Sequence, residues 1–251
     1  MTILAIDTST QWCSVALVNP QGGSGQPQSP LSSGALVRHE NLGPESSQHA
    51  LDWVEALLEE AQLSFRDLTA IAVGIGPGAF TGIRIGVGIG QGMAFAADLP
   101  CLPIVCLDAV ALEGIRHLGL KENDQVIAAT DARMSEVYWA RYVVQANGLP
   151  ERQDDVFLSA PKDIDVPATP FALVGNAVSA YPEEMLAMRQ QAMAIDESAV
   201  PHARSIAQLG LDALEKGLQV SAAELQPIYV RDKVAQTIAE RELEKSNQEK
   251  S

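Results

Sequence analysis

Between Gly74 and Gly92 the chain carries eight glycines, in the run GIGPGAFTGIRIGVGIGQG, out of 19 in its 251 residues. A glycine in a helix interior costs about 1 kcal/mol relative to alanine. The segment from Thr81 onward nevertheless reads as a helix, because it is apolar throughout and holds no breaker after Pro77. A helix that repeats this penalty must gain close backbone approach, or a turn only glycine makes. One reading is a phosphate cradle, with Gly74, Gly76 and Gly78 leading into a helix N-terminus whose N–H groups and dipole hold an anion. The spacing argues against it. No G-x-x-x-x-G-K-[ST] is present, and Gly74-Ile75-Gly76-Pro77-Gly78-Ala79 reaches only the Ala-ended form of G-x-G-x-x-G, with Pro77 inside it. The other reading is packing, inside the fold or between subunits. Gly82, Gly86 and Gly90 recur every four residues and form one helical stripe, with Gly88 and Gly92 as a second, partial one. The spacing favours packing.

Around this run the pattern is that of an α/β chain. Thr2–Ile6, Ser14–Val18, Ala35–Glu40 and Leu68–Val73 read as strands, and 19–34 as a Gly/Pro/Ser-rich loop. Ser46–Gln62 reads as an amphipathic helix with Leu51, Val54, Leu58 and Ala61 on one face. The glycine helix over 81–97, a strand Leu102–Val105 and a helix Leu107–Leu118 follow. A second unit starts near Gln125, with strands Val126–Thr130, Glu136–Val143 and Phe171–Val174 and helices Ala177–Gln191 and Arg204–Leu214. The tail over 239–251 is highly charged. LAIDTSTQWCSVALV at 4–18 resembles AATDARMSEVYWARY at 128–142, each an apolar strand ending in Asp, a polar turn and a second strand. Such a pair is expected of a duplicated α/β fold. The expected units are 1–107, 108–224 and a C-terminal segment 225–251.

Composition narrows the function. A net charge of -15 argues against a stand-alone nucleic-acid binder, since phosphate neutralisation needs clustered Lys and Arg. Three cysteines without a C-x-x-C fit a reducing compartment. The opening MTILAIDTST lacks the basic region and cleavage site of a signal peptide, and the most apolar stretch, 85–97, is too short to span a bilayer. A cytoplasmic location without membrane contact is the expectation.

Candidate chemical residues are few. Asp7, followed by Thr8, Ser9 and Thr10, would hold a metal–phosphate group or form a side-chain-capped turn; the turn is favoured, because no glycine there admits a phosphate. Asp131 and Arg133 pose the same choice. His39, His49, His117 and His202 show no metal-ligand spacing, and there is no G-x-S-x-G elbow.

ILAIDTST, GIGPGAFTGIRIGVGIGQGMA, DARMSEVYWARY and PIYVRDKVA together resemble the bacterial TsaB (YeaZ) family, over residues 3–235. The resemblance implies an actin/Hsp70/sugar-kinase-like fold of two ribonuclease-H-like halves. It implies a cytoplasmic subunit of the machinery that places a threonylcarbamoyl group on the adenosine beside the anticodon in tRNAs reading codons that begin with A. The transferase there is the paralogue TsaD, whose H-x-x-x-H motif has no histidine to match it in VCLDAVAL at 105–112. The implied role is therefore non-catalytic: pairing with TsaD, recruiting the ATPase TsaE, self-associating when alone and meeting tRNA only through the complex. The resemblance implies no resident cofactor and no metal, leaves ATP or ADP only at the junction with TsaD, and makes Asp7, Thr8, Ser9 and Thr10 a vestigial nucleotide site. It places the partner surface on the helix after Glu45 and on the glycine helix. The interface candidates are then Gln48, Leu51, Val54 and Leu58 with Gly82, Ile83, Gly86, Val87 and Gly90. Ser46 stands where some members have His, a departure from the family pattern that leaves open any role built on that His. The alternative is a nucleotide-dependent enzyme of the same fold, kinase-like or metallopeptidase-like.

Overall fold

The computed structural model of the chain describes residues 1–19 and 34–231. The expected loop over 19–34, its two end residues apart, and the charged tail over 239–251 lie outside the described residues.

The apolar run Ile3–Asp7 (β1) is buried along its whole length and is the central strand of a five-stranded sheet. Trp12–Val18 (β2) returns antiparallel with Ala5 opposite Ala16, and the half-exposed Ala35–Asn41 (β3) adds to it antiparallel at the edge. Ala70–Gly74 (β4) and Cys101–Ile104 (β5) add parallel on the other side, giving the order β3-β2-β1-β4-β5. Pro103 is tolerated because β5 is an edge strand.

The second sheet repeats this plan. Gln125–Arg133 (β6) and Glu136–Val144 (β7) are antiparallel, Pro150–Arg152 (β8) and Phe157–Ser159 (β9) pair with β7, and Phe171–Val174 (β10) and Ala194–Asp196 (β11) add parallel. The order is β11-β10-β6-β7-β8. The repeat read from residues 4–18 and 128–142 is thus β1–β2 and β6–β7. The molecule has two ribonuclease-H-like halves in the actin/Hsp70/sugar-kinase arrangement. β8, β9 and β11 are three residues each, too short to leave a readable periodicity.

Five layers result. Ala50–Ala61 (α1) and Phe80–Ala97 (α2) cover one face of the first sheet, packing on Leu4, Ile6, Val15, Ile71 and Val73. Ala203–Glu215 (α6) covers the other face, where Ala5, Ala16, Ala70 and Ala72 let the helix come close. Cys106–Leu118 (α3) packs on the facing side of the second sheet and touches α6. Ala177–Ala180 (α4) and Leu186–Gln191 (α5) belong to the outer core of that sheet.

Three expectations change. The helix expected over 46–62 is a 3-10 turn, Gly43–Gln48, followed by α1, because Ser46 is buried and donates its hydroxyl to the Thr10 carbonyl. The helix expected over 177–191 breaks into α4 and α5 around Tyr181 and Pro182, since a residue before proline is pushed out of the helical region. The unit expected over 108–224 does not hold together. α6 packs on β1, β2 and β5, Val220 bridges to Cys101, and Leu225 is buried in the first core, so the chain returns to the first half.

Candidate functional site

β1 ends on Asp7, and the turn from Thr8 to Gln11 leads into β2. Asp7 is 1% exposed. Its Oδ1 accepts from the Ser9 N–H at 3.1 Å and the Ser9 hydroxyl at 2.9 Å, and its Oδ2 faces the Cys106 thiol, which donates at 3.3 Å. The thiol sulfur in turn accepts from the Gly76 N–H at 3.1 Å. Burial pushes the Asp7 carboxyl above the usual carboxylate range, against the hydrogen bonds from Ser9 and Cys106, and burial also pushes the Cys106 thiol well up. A carboxylate that serves a metal or phosphate must show an oxygen to the cleft. Both oxygens here are engaged inside the protein.

The glycine run is built around this turn. A Cβ at Gly74 would overlap the Asp7 carboxyl, one at Gly78 the Ser9 carbonyl, and one at Gly82 the Thr8 carbonyl. The Thr8 hydroxyl donates to the Gly82 carbonyl at 2.7 Å, and the Ala79 N–H donates to the Ser9 carbonyl at 2.7 Å. A phosphate seated at the start of α2 would need that amide, and the chain's own turn holds it. Asp7, Thr8 and Ser9, drawn together as expected from sequence, are therefore spent on packing. Thr10 caps the Trp12 N–H at 3.1 Å and lines the cleft.

The partner stripe expected from sequence is inside the protein. Gly86 meets the Thr8 hydroxyl and Gly90 meets Val73, so Gly82, Gly86 and Gly90 bring α2 close to the β1–β2 turn and β4, not to another helix. Ile83 and Val87 on α2 and Val54 and Leu58 on α1 are buried in the same core. Gln48 is exposed and Leu51 is 45% exposed. The second stripe faces out: Gly88 and Gly92 have nothing within 4 Å of an added Cβ. Ile85 (36% exposed) and Phe95 (84% exposed) lie on the same face, at helical spacing with Gly88 and Gly92. Sequence reasoning missed Ile85 and Phe95, because it weighed α2 as apolar throughout; Thr81 and Arg84, both exposed, are the polar signal that could have marked their face.

Between the halves lies a cleft of about 480 Å³, with Ser9, Thr10, Trp12 and Thr81 on one wall and Asp131, Arg133, Tyr138 and Asn176 on the other. Asp131 pairs with Arg133 at 3.1 Å and accepts from the Tyr181 hydroxyl at 2.7 Å. Arg133, Met134 and Ser135 all have left-handed backbone, φ 64°, 57° and 58°. Each costs on the order of 1 kcal/mol for a side chain with a Cβ. Among the described residues no group of three or more His, Cys, Asp or Glu could hold a metal ion, and no buried side-chain polar atom lacks a partner. No helix among them is long and apolar enough to cross a membrane.

A family model described as TsaD, tRNA N6-adenosine threonylcarbamoyltransferase, matches residues 40–239. The chain is 34% identical over 244 residues to the tRNA threonylcarbamoyladenosine biosynthesis protein TsaB of Escherichia coli (strain K12), covering 94% of this chain and 96% of the relative. It is 32% identical to the protein of the same name from Haemophilus influenzae, over 93% and 95% of the two chains. A solved structure of YeaZ from Pseudomonas aeruginosa superposes with a TM-score of 0.78 at 36% identity, over 91% of this chain and 99% of that one.

Proposed function

The chain belongs to the TsaB (YeaZ) family, named for tRNA threonylcarbamoyladenosine biosynthesis, and from that premise we propose that it is a non-catalytic subunit of the threonylcarbamoyl transfer machinery. It pairs with a TsaD-like transferase subunit, and the pair recruits a TsaE-like ATPase. The observation that carries this reading is the outer face of α2, where Ile85 and Phe95 stand exposed beside Gly88 and Gly92. Apolar side chains flanking glycines on an open helix face suit a second helix at close range. The spent state of Asp7 and Thr8 supports a subunit without chemistry of its own. The same face pairs two copies of the chain when the partner is absent. With a net charge of -15, tRNA is met through the complex, in the cytoplasm.

Sizing of the chain with a TsaD-like subunit tests this. Wild type elutes as a complex, and Phe95→Asp, which places a charge where an apolar ring docks, elutes as separate folded chains. Two folded wild-type chains that do not co-elute, or a Phe95→Asp variant that binds unchanged, overturn it. The enzyme reading rests on the cleft with Asp131 and Arg133. It predicts heat on titrating the isolated chain with ATP and Mg²⁺, whereas the subunit reading predicts none.

A further inference from the structure

The last described residues run from the first half to the second along the partner-facing helix. Leu225 is buried in the first core, and its carbonyl accepts from the Gln91 side chain at 2.7 Å. The Ile228 N–H donates to the Ile75 carbonyl at 3.0 Å. The Tyr229 hydroxyl accepts from Arg84 Nε at 2.8 Å, and the Arg84 guanidinium lies 3.6 Å from the centre of the Phe80 ring. Two residues on, Arg231 is anchored on the second half. It pairs with Glu136 at 2.7 Å, donates to the carbonyls of Ala132 at 3.0 Å and Arg133 at 3.3 Å, and meets the Met134 sulfur at 3.3 Å, with its side chain 14% exposed.

These grips meet the part of the fold that most needs outside support. The turn between β6 and β7 holds three successive non-glycine residues in left-handed backbone, beside a register shift between Asp131 and Arg133. Such a conformation persists only where its surroundings over-determine it, and Arg231 supplies two carbonyl contacts and an ion pair there. The same turn carries Arg133, which forms part of the cleft wall. At its other end the strap is fastened by Arg84, an exposed residue of α2 on the face that holds Ile85.

We propose that residues 225–231 are a strap through which a partner seated on the outer face of α2 sets the conformation of the Arg133–Ser135 turn, and with it the wall of the cleft. The proposal rests on the docking reading above. A partner that covers α2 meets Arg84 and Tyr229. A residue spans at most about 3.6 Å, so Tyr229 cannot shift far without pulling on Arg231. The strap thus gives the cleft a way to register whether the partner is present, and Tyr229 and Arg231 are positioning residues, not catalytic ones.

Amide hydrogen exchange of the full chain, alone and with the TsaD-like subunit, tests the strap. In wild type the partner slows exchange at Arg133–Glu136 by about fivefold or more, the low end of ordinary coupling between sites. Tyr229→Phe removes only the hydroxyl that Arg84 holds. It forms the complex, keeps the turn's exchange unchanged in the isolated chain, and loses the partner's effect on the turn. Arg231→Ala speeds exchange at the turn in the isolated chain and leaves β1 and β4 protected. A complex that leaves the wild-type turn unchanged, or one that slows it equally in Tyr229→Phe, overturns the strap alone. Failure of folded wild-type chains to associate overturns the docking reading and the strap with it.

Discussion

Asp7 sits where the sequence draws the eye, an acid at the end of the central strand followed by hydroxyl residues, and its surroundings decide what it does. Burial raises its pKa. A raised carboxyl makes its contribution at low pH and loses it as pH rises through the folded value, so an ionised Asp7 works against the fold at neutral pH. Asn in its place keeps an oxygen for the Ser9 N–H and hydroxyl and offers an N–H toward the Cys106 sulfur. The expected outcome for Asp7→Asn is a melting temperature within about 3 °C of wild type, or higher. Threonylcarbamoyl transfer to tRNA by the reconstituted subunits is expected to be unchanged. A folded variant that stops modification would put chemistry at this carboxyl. The sequence shows Asp7, Ser9 and the turn that joins them. It hides Cys106, which lies 99 positions away and reaches Asp7 only because β4 and β5 run parallel to β1 and bring the start of α3 under its end.

At the scale of one element, α2 shows why a pattern can be legible and its meaning not. Helical spacing finds two glycine stripes in the sequence. Choosing between them needs a polar face, and only Thr81, Arg84 and Gln91 mark one along this helix, a sparse signal among apolar and glycine residues. The sheet decides: the stripe of Gly82, Gly86 and Gly90 lies on Thr8 and Val73, and Gly88 and Gly92 are left open. The two stripes therefore respond to substitution with opposite signs. Gly88→Ala adds a methyl group to open space in a helix interior and is expected to stabilise the isolated chain by about 1 kcal/mol. Gly82→Ala drives a Cβ into the Thr8 carbonyl, which is backbone and cannot step aside, and is expected to destabilise by about 1–3 kcal/mol. Urea unfolding of both variants measures this. Shifts of the same sign would mean that α2 sits on the sheet with a different face from the one described. For binding the order reverses. Gly88→Leu is expected to leave the isolated chain folded and, on the docking proposed above, to weaken the complex with the TsaD-like subunit, because its bulk would fill the open space beside Gly88.

The whole molecule is held by a chain that returns. Two repeated units are visible in the sequence, but the return of α6 to the first sheet is not, since an amphipathic helix of Ala, Ile and Leu names no partner. Its start carries the signal that could have been read. His202 caps α6 by accepting the Arg204 N–H on Nδ1 at 3.0 Å, and it stacks on His39 with ring centres 4.2 Å apart. His39 stacks in turn on Trp12 of β2 at 4.5 Å, and its Nδ1 lies 2.9 Å from the Ser14 hydroxyl, which accepts the Ala203 N–H at 2.8 Å. Burial, and then the field of His202, lowers His39 to about 4, with Glu113 opposing. Burial lowers His202 as well; Glu113 opposes, while Arg116, Arg204 and His117 add to the fall. A histidine whose folded pKa is depressed stays neutral in the fold while the unfolded chain takes up a proton near 6.5. Stability therefore falls as pH drops from about 6.5 toward 4, a window set by the ordinary and shifted values of His39. A proton on His202 Nδ1 also removes the acceptor that caps α6. Asp7 acts with the opposite sign, since its burden is relieved as it protonates. His39→Phe keeps the ring column from Trp12 to His202 and removes one of its two titrating groups. Its thermal stability is expected to fall less steeply between pH 6.5 and pH 4 than that of wild type, relative to each protein's own value at pH 7.5. An identical acid profile in scanning calorimetry would show that the stack does not set the acid limit of the fold. A flattened one would place that limit at the fastening of α6, the helix by which the chain comes back to its first half.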